Sequence, residues 1–523
     1  MASDPTAWDP WFGSTSSIAN LWAETLGRQN WTGIKPEVWD FKARFTPVQY
    51  ATGLLAESWD VSDWATFTFR LRKGIKYQNK TPVNGRELTA YDVEYSYQRL
   101  VGLGSFSKGS PYVSLVNLNK IASVTATDKY TVVFKMKEPT MFQFQEIVDD
   151  HEMRSIVPRE AVDQAGGFND WTRVVGSGPF IVKDSVRGSS MTFARNPDYW
   201  RQDDQYPNNK LPYVDAVKFL IIPDASTSLA ALRTGKLDRL SAVDWEQLAS
   251  LQKTDSELQV ASVPGSAVAI CMQVDKKPFD DIRVRKALQM AVDLETIART
   301  HYGGTVPGKP VGLVGFKGYN TPFEQWPEEV KKGYLYNPEG AKDLLKQAGY
   351  PNGFKTTLTI PTTGDQDLYL IIKEYLGKIG ADVAISLLEP ASFNGYVNAG
   401  KAEMSSGPSF AFAYDTRPPI AALSYRVSTH PVASPITHIN DPIMDELHRK
   451  ADTSLDPEAQ RGLIKQADDY VTAQQWTTNL VPTVTYDVYQ PWVKRYFQTQ
   501  NVSVGAKLAL LWIDEELKRS AGH

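Results

Sequence analysis

"KTTLTIPTTGDQDLYLIIKEYLGKIGADVAISLLE", residues 355–389, decides the fold class. Its first six residues read as a strand, residues 366–378 as a helix, and "ADVAISLLE" as a second strand. Two strands joined through a helix run the same way when they share a sheet, because a tight turn can only reverse the chain. The stretch is therefore an α/β unit with parallel pairing.

The same grammar extends on both sides. Upstream, Asn337-Pro338 is an N-cap followed by proline at the first helical position. That helix is expected to bury Ala341, Leu344, Leu345 and Ala348 and to stop at Gly349. Asp281 opens a helix with Val284, Leu288, Ala291 and Val292 on one stripe. Asp441-Pro442 and Asp456-Pro457 open two more. The first half of the chain is richer in strands. Phe67, Phe69 and Leu71 alternate with polar residues, as do Tyr130, Val132, Phe134 and Met136. Between these runs lies a helix with Thr89 and Asp92 at capping-box spacing and Val93, Tyr97 and Leu100 on one face. Residues 175–200 read as two strands around the turn Arg187-Gly188. "FLIIPDASTSLAALRTGKLD", 219–238, reads as a buried strand, a loop and a helix ended by Gly235. There is no internal repeat, low-complexity tract or long linker.

A chain of 523 residues exceeds one core, so two to four domains are expected. Net charge is −4 with both signs mixed along the chain, which offers no footprint for nucleic acid and no polybasic membrane anchor. The single cysteine, Cys271, rules out an intrachain disulfide. Catalytic signatures fail on inspection. "GGTVPGKP", 303–310, puts Pro310 where a phosphate-binding loop needs a hydroxyl for Mg²⁺. His151-Glu152 begins like a zinc-protease helix, but Ser155 stands where the second histidine belongs. No G-x-S-x-G elbow is present. Asp149-Asp150 and Asp468-Asp469 are read as solvated carboxylate pairs, because neither sits among aromatics. No catalytic residue, cofactor or metal is expected. An abundance of aromatics, 14 Trp and 24 Tyr, instead suits a large, partly wet binding cavity.

Five segments, in order and at matching spacing, carry a resemblance: "LLAESWDVSDWATFTFRLRKGIKYQNKTPVNGRELTAYDVEYSYQRL" (54–100), "VGSGPFIVKDSVRGSSMTFARNPDYW" (175–200), "FDDIRVRKALQMAVDLETIA" (279–298), "YNPEGAKDLLKQAGYPNGF" (336–354) and "ADVAISLLE" (381–389). The chain resembles the family 5 extracytoplasmic solute-binding proteins of bacterial ABC transporters, the group with the oligopeptide-, dipeptide- and nickel-binding proteins. The resemblance implies two α/β lobes that close on a ligand like a flytrap, with a third, mixed α/β domain inserted in the first lobe. On this chain the first lobe is expected at 1–30, 174–264 and 490–523, the insert at 31–173 and the second lobe at 265–489. It further implies a location in the periplasm or on the outer face of the cytoplasmic membrane, and a secretory or lipoprotein signal ahead of residue 1. The family's strand before the "DP" loop is expected to be short or absent, since the chain begins almost at that loop.

The resemblance also points to site residues. "SPY" puts Tyr112 at a tyrosine that faces the ligand. "AFAYD", 411–415, stands where the family has an aromatic and an acid that meet a peptide's start, giving Phe412 and Asp415. Phe412 replaces the family's usual Trp. "VPTVTYDVYQPW" gives Tyr486, and the loop "DPWFG" places Trp11 to Gly13 at the cavity edge. For each aromatic the competing reading is core packing; for Asp415 it is a bond to Arg417 or a turn cap. The implied function is a non-enzymatic receptor, expected to act as a monomer, that delivers a small polar solute to ABC permease subunits. Peptide is the first ligand class and oligosaccharide the second. An opine or metal chelate is the third. A secreted glycoside hydrolase, the alternative of a different class, would need two carboxylates about 5–10 Å apart.

Overall fold

The structure is a computed structural model and describes residues 5, 7–11, 16–35, 37–39, 41, 45–107, 118–149, 154–163, 167–407, 418–431, 433–496 and 504–522. The chain divides into two compact units: Met1–Val243 with Gln247–Ser262 and Tyr486–His523, and Asp244–Glu246 with Val263–Thr485.

The first unit contains two antiparallel sheets of three or more strands. Strands β1 (Ala56–Val61), β2 (Thr66–Leu71), β3 (Ile121–Asp128) and β4 (Thr131–Met136) form one sheet in the order β1-β2-β4-β3, and helix α1 (Ala90–Val101) packs on β3. The alternation read from the sequence sets the buried face: Phe67, Phe69, Val132 and Phe134 are all buried. Phe144 of α2 (Met141–Val148) lies edge-on to Phe67 at 5.2 Å and stacks on Phe69 at 6.0 Å. The capping box of α1 forms as spaced, with the Thr89 N–H donating to Asp92 Oδ2 at 2.9 Å. Asp92 is held in turn by both terminal nitrogens of Arg86, at 2.6 and 2.9 Å.

The second sheet of this unit is β5 (Phe180–Val186), β6 (Ser190–Arg195) and β7 (Ala216–Leu220), in that order. Trp22 stacks on Phe193 of β6 at 6.2 Å and 6°. The expectation of a buried strand from Phe219 is corrected in part: Ile221 is buried, but Phe219, Leu220 and Ile222 are half-buried. Ala216 and Lys218 are exposed and Val217 only half-buried. The reason is position: β7 is an edge strand that pairs on one side only. Helix α3 (Ala225–Arg233) follows, and Gly235, at φ +64, comes two residues after it. Strand β8 (Arg239–Val243) closes this part of the chain.

In the second unit, the end of β9 (Gln259–Met272) leads to α4 (Ile282–Met290) and α5 (Leu294–Thr300), then to α6 (Pro338–Gln347). Asn337 caps α6 through Oδ1, which accepts from the Gly340 N–H at 2.9 Å. Ala341 and Leu345 are buried, whereas Leu344 and Ala348 are half-buried, so the apolar stripe of α6 is narrower than its sequence suggests. Strand β10 (Phe354–Pro361), helix α7 (Gln366–Gly377), strand β11 (Ala381–Leu388), helix α8 (Pro390–Asn398) and strand β12 (Met404–Ser406) come next. β10 and β11 pair in parallel from Phe354↔Ala381 to Pro361↔Leu388, and β12 pairs in parallel with the other side of β10. Helix α9 (Pro419–Ser424) and the proline-started, Asp-capped helices α10 (Pro442–Thr453) and α11 (Pro457–Gln474) follow, and β13 (Thr477–Tyr489) closes the sheet in the order β13-β9-β12-β10-β11. In the first unit, β8 pairs antiparallel with the last residues of β13, Val243 opposite Tyr486.

Parallel strands β10 and β11 begin at one tight contact. Gly353 sits at φ +76, and a Cβ there would lie 1.8 Å from the Gly380 carbonyl oxygen. A Gly353→Ala variant is therefore expected to lose about 1–3 kcal/mol through backbone strain alone, read as a lower urea midpoint with an unchanged slope.

Candidate functional site

Chain order fixes where the parallel strands of the second unit open. From β10 the chain crosses through α7 to β11, then returns through α8 past β10 to β12. Right-handed crossovers in opposite directions put the two helices on opposite faces of the sheet. Packing agrees: Leu368, Tyr369, Ile372 and Leu376 of α7 belong to the core around Leu358, Ile360, Val383 and Met404, while Phe393 and Val397 of α8 are buried outside it. The exits of β10 and β11 thus diverge at their carboxyl ends. That divergence is the topological switch point at which open α/β sheets bind ligands.

The groups at this edge are fixed by local chemistry. Past the strand ends, the Thr362 N–H donates to the Leu388 carbonyl at 2.9 Å. Asp365 caps α7, its Oδ1 accepting from the Leu368 N–H at 3.0 Å, and its Oδ2 meets His301 Nε2 at 2.8 Å. Trp245 Nε1 donates to the His301 carbonyl at 3.0 Å, and Gly303, at φ +58, lies against the Trp245 ring, where a Cβ would come within 2.4 Å. Sequence reading missed Trp245, His301 and Asp365. The one signal that could have found them is Asp365 as an N-cap directly after a parallel strand.

β12 ends on the same edge, since it runs parallel to β10, and the Gly407 N–H donates to the Ala269 carbonyl at 2.9 Å. Phe412 and Asp415 lie outside the described residues, as do Tyr112 and Gly13. On the far side of that segment, α9 buries Pro419 to Leu423, and Arg426 is 1 % exposed. Burial pulls the Arg426 guanidinium down to about 10, with Cys271 and Tyr334 acting on it in the opposite direction. The Cys271 thiol is buried too and pushed up to about 12, which leaves it unreactive.

Trp11 and Tyr486 are placed in the first unit. Trp11 is 0 % exposed; its Nε1 donates to the Ser155 carbonyl at 3.3 Å and its ring lies 4.4 Å beneath the Arg99 guanidinium. Arg99 is held there by Asp9 at 2.6 Å. Tyr486, 9 % exposed, sits where β13 pairs with β8. The carboxylate pair Asp468-Asp469 departs from its reading: Asp469 is exposed but Asp468 is fully buried, because on a helix adjacent residues point about 100° apart. Among the described residues, no group of three or more His, Cys, Asp or Glu side chains could hold a metal ion, and no helix is long and apolar enough to cross a membrane.

A two-lobed receptor class is what comparison with known proteins returns. The model of the bacterial extracellular solute-binding proteins, family 5, middle region, matches residues 51–429, and the chain belongs to that family. Heme-binding protein A of Haemophilus influenzae is 29 % identical over 482 residues, spanning 88 % of this chain and 83 % of that protein. The glutathione-binding protein GsiB of Escherichia coli is 28 % identical over 361 residues, 68 % of this chain and 64 % of that protein. Among solved structures, the periplasmic binding protein DppA of Helicobacter pylori, in complex with the peptide STSA, superposes with a TM-score of 0.77 at 25 % identity, covering 98 % of this chain and 97 % of that one. The fold is the mixed α/β, multi-domain flytrap of this family, and the chain is a solute-binding protein of the ABC-importer type.

Proposed function

We propose that this protein captures a short peptide outside the cytoplasm and hands it to the permease subunits of an ABC importer, as a monomer and without chemical turnover. The observation that carries the reading is the match over nearly the full chain to a receptor solved with a tetrapeptide, STSA. A second relative binds glutathione, itself a small peptide. Asp415 and Phe412 are proposed to meet the peptide's amino terminus, with Tyr112, Tyr486 and Gly13 as further contacts and Trp11 anchoring its loop from within the core. Haem is the second reading, favoured by the name of the relative that spans 88 % of this chain.

Mass spectrometry and absorbance of whatever survives purification test both. Peptide masses without a Soret band are expected; a Soret band without peptide would replace the first reading with the second. Ligand should also select a closed state. Small-angle scattering should show a smaller radius of gyration with ligand than without, and the recovered ligand should be chemically intact. An unchanged radius or a converted ligand would overturn the receptor mechanism.

A further inference from the structure

Asp468 lies at 1 % exposure on the inner face of α11. Its Oδ1 accepts the Val314 N–H at 2.8 Å, and the Leu313 N–H bonds the same carboxyl. Among the described residues its Oδ2 has no hydrogen-bond partner. The backbone of Gly312 covers that oxygen so closely that a Cβ there would lie 2.6 Å away. The titratable group that acts on the carboxyl is Asp469, on its own helix, while Asp468 in turn raises Tyr334, and neither neighbour is a cation. The Tyr334 hydroxyl is committed elsewhere, donating to the Thr472 carbonyl at 2.8 Å. Arg426 acts on Tyr334 in the opposite sense to Asp468, lowering it.

The two protonation states fit this enclosure unequally. As a neutral acid, the group accepts the Val314 N–H at Oδ1 and carries its proton on Oδ2. As a carboxylate, it places a charge in a site only 1 % exposed, with Asp469 rather than a cation acting on it, which is costly. Burial accordingly pushes the carboxyl from an ordinary 3.8 to about 7. An ionised Oδ2 gains donors only if water enters, and water enters only if Gly312 moves.

We propose that Asp468 is a proton-operated latch on residues 311–316: closed while the side chain is a neutral acid, loosened when it ionises. A receptor that works outside the cytoplasm meets the external pH directly, so the latch would tie the mobility of this segment to that pH.

The sign follows from linkage. The folded carboxyl binds its proton more tightly than the open one, so the latch is fully effective below about pH 4 and is lost as pH rises through about 7. Hydrogen exchange of peptides covering 311–316, corrected for intrinsic rates, should lose protection by about tenfold per pH unit between about pH 5 and 7 and level off above that. Asp468→Asn, which keeps an oxygen for the Val314 N–H, should make the protection independent of pH. Because that variant could disturb folding, ¹³C NMR titration of the wild-type Asp468 carboxyl carbon is the parallel measurement. A midpoint near 4, or protection in the wild type that ignores pH, overturns the proposal. Neither measurement uses the transported ligand, so the outcome is independent of the receptor's specificity.

Discussion

Arg154→Met should destabilise the first unit by about 3–5 kcal/mol. Arg154 and Glu146 form an ion pair in which the side chains are 6 % and 3 % exposed. Burial alone would pull the guanidinium down, but Glu146 and Asp149 outweigh it and hold it above its ordinary value. Methionine fills much of the same volume with no charge, so the loss is dominated by what remains: a buried Glu146 carboxylate on α2 without its counter-ion. Urea unfolding should show a midpoint shift with little change in slope. Adding Glu146→Gln removes the stranded charge. The double variant should therefore be more stable than the sum of the single losses predicts, by about 1–3 kcal/mol. Strict additivity would show that the two side chains are not energetically coupled.

Such pairs were invisible in the sequence, and the reason is general to this chain. Local chemistry was readable. Thr89 with Asp92 caps α1, Asn337-Pro338 starts α6, and the strand–helix–strand order of 355–389 gives a parallel unit in register from Phe354↔Ala381. In each case the partners are a few residues apart or share a simple period, so distance along the chain stands for distance in space. Burial obeys no such rule. β7 has an apolar sequence but lies at a sheet edge, and Leu344 and Ala348 fall off a core that Ala341 and Leu345 reach. Asp468 and Asp469 are chemically identical neighbours, yet only one turns toward Leu313 and Val314, more than 150 residues away in sequence. The candidate site follows the same division. The switch point follows from element order, whereas Trp245 and His301 join Asp365 only through contacts between separate elements.

Asp415→Ala should weaken binding of a peptide with a free amino terminus by about 2–5 kcal/mol, or roughly 1.5 to 3.5 orders of magnitude in affinity. Asp415 closes the run "FAFAYD", in which Phe410, Phe412 and Tyr414 alternate before the acid. Around it, the described chain leaves the carboxyl edge of β12 at Gly407 and resumes at Pro418, the residue before α9. A carboxylate on a peptide's α-ammonium makes a short, charge-assisted bond, and removing it strands a cation that has already given up water. That stranded charge, rather than the bond alone, makes the expected loss large. The competing fate for Asp415 is a bond to Arg417 or a cap ahead of Pro418 and Pro419, in which case alanine would cost stability and leave affinity unchanged. A sugar ligand gives a third outcome, since hydroxyl groups donate neutral hydrogen bonds and their loss costs only about 0.5–1.5 kcal/mol. Calorimetry separates these by comparing a peptide with its N-acetylated form on the wild type and on Asp415→Ala. The amine-anchor reading requires that acetylation and the alanine substitution cost similar amounts, and that together they cost little more than either alone. Should the wild type bind both peptides equally well, Asp415 does not hold an amino terminus, whatever the variant does.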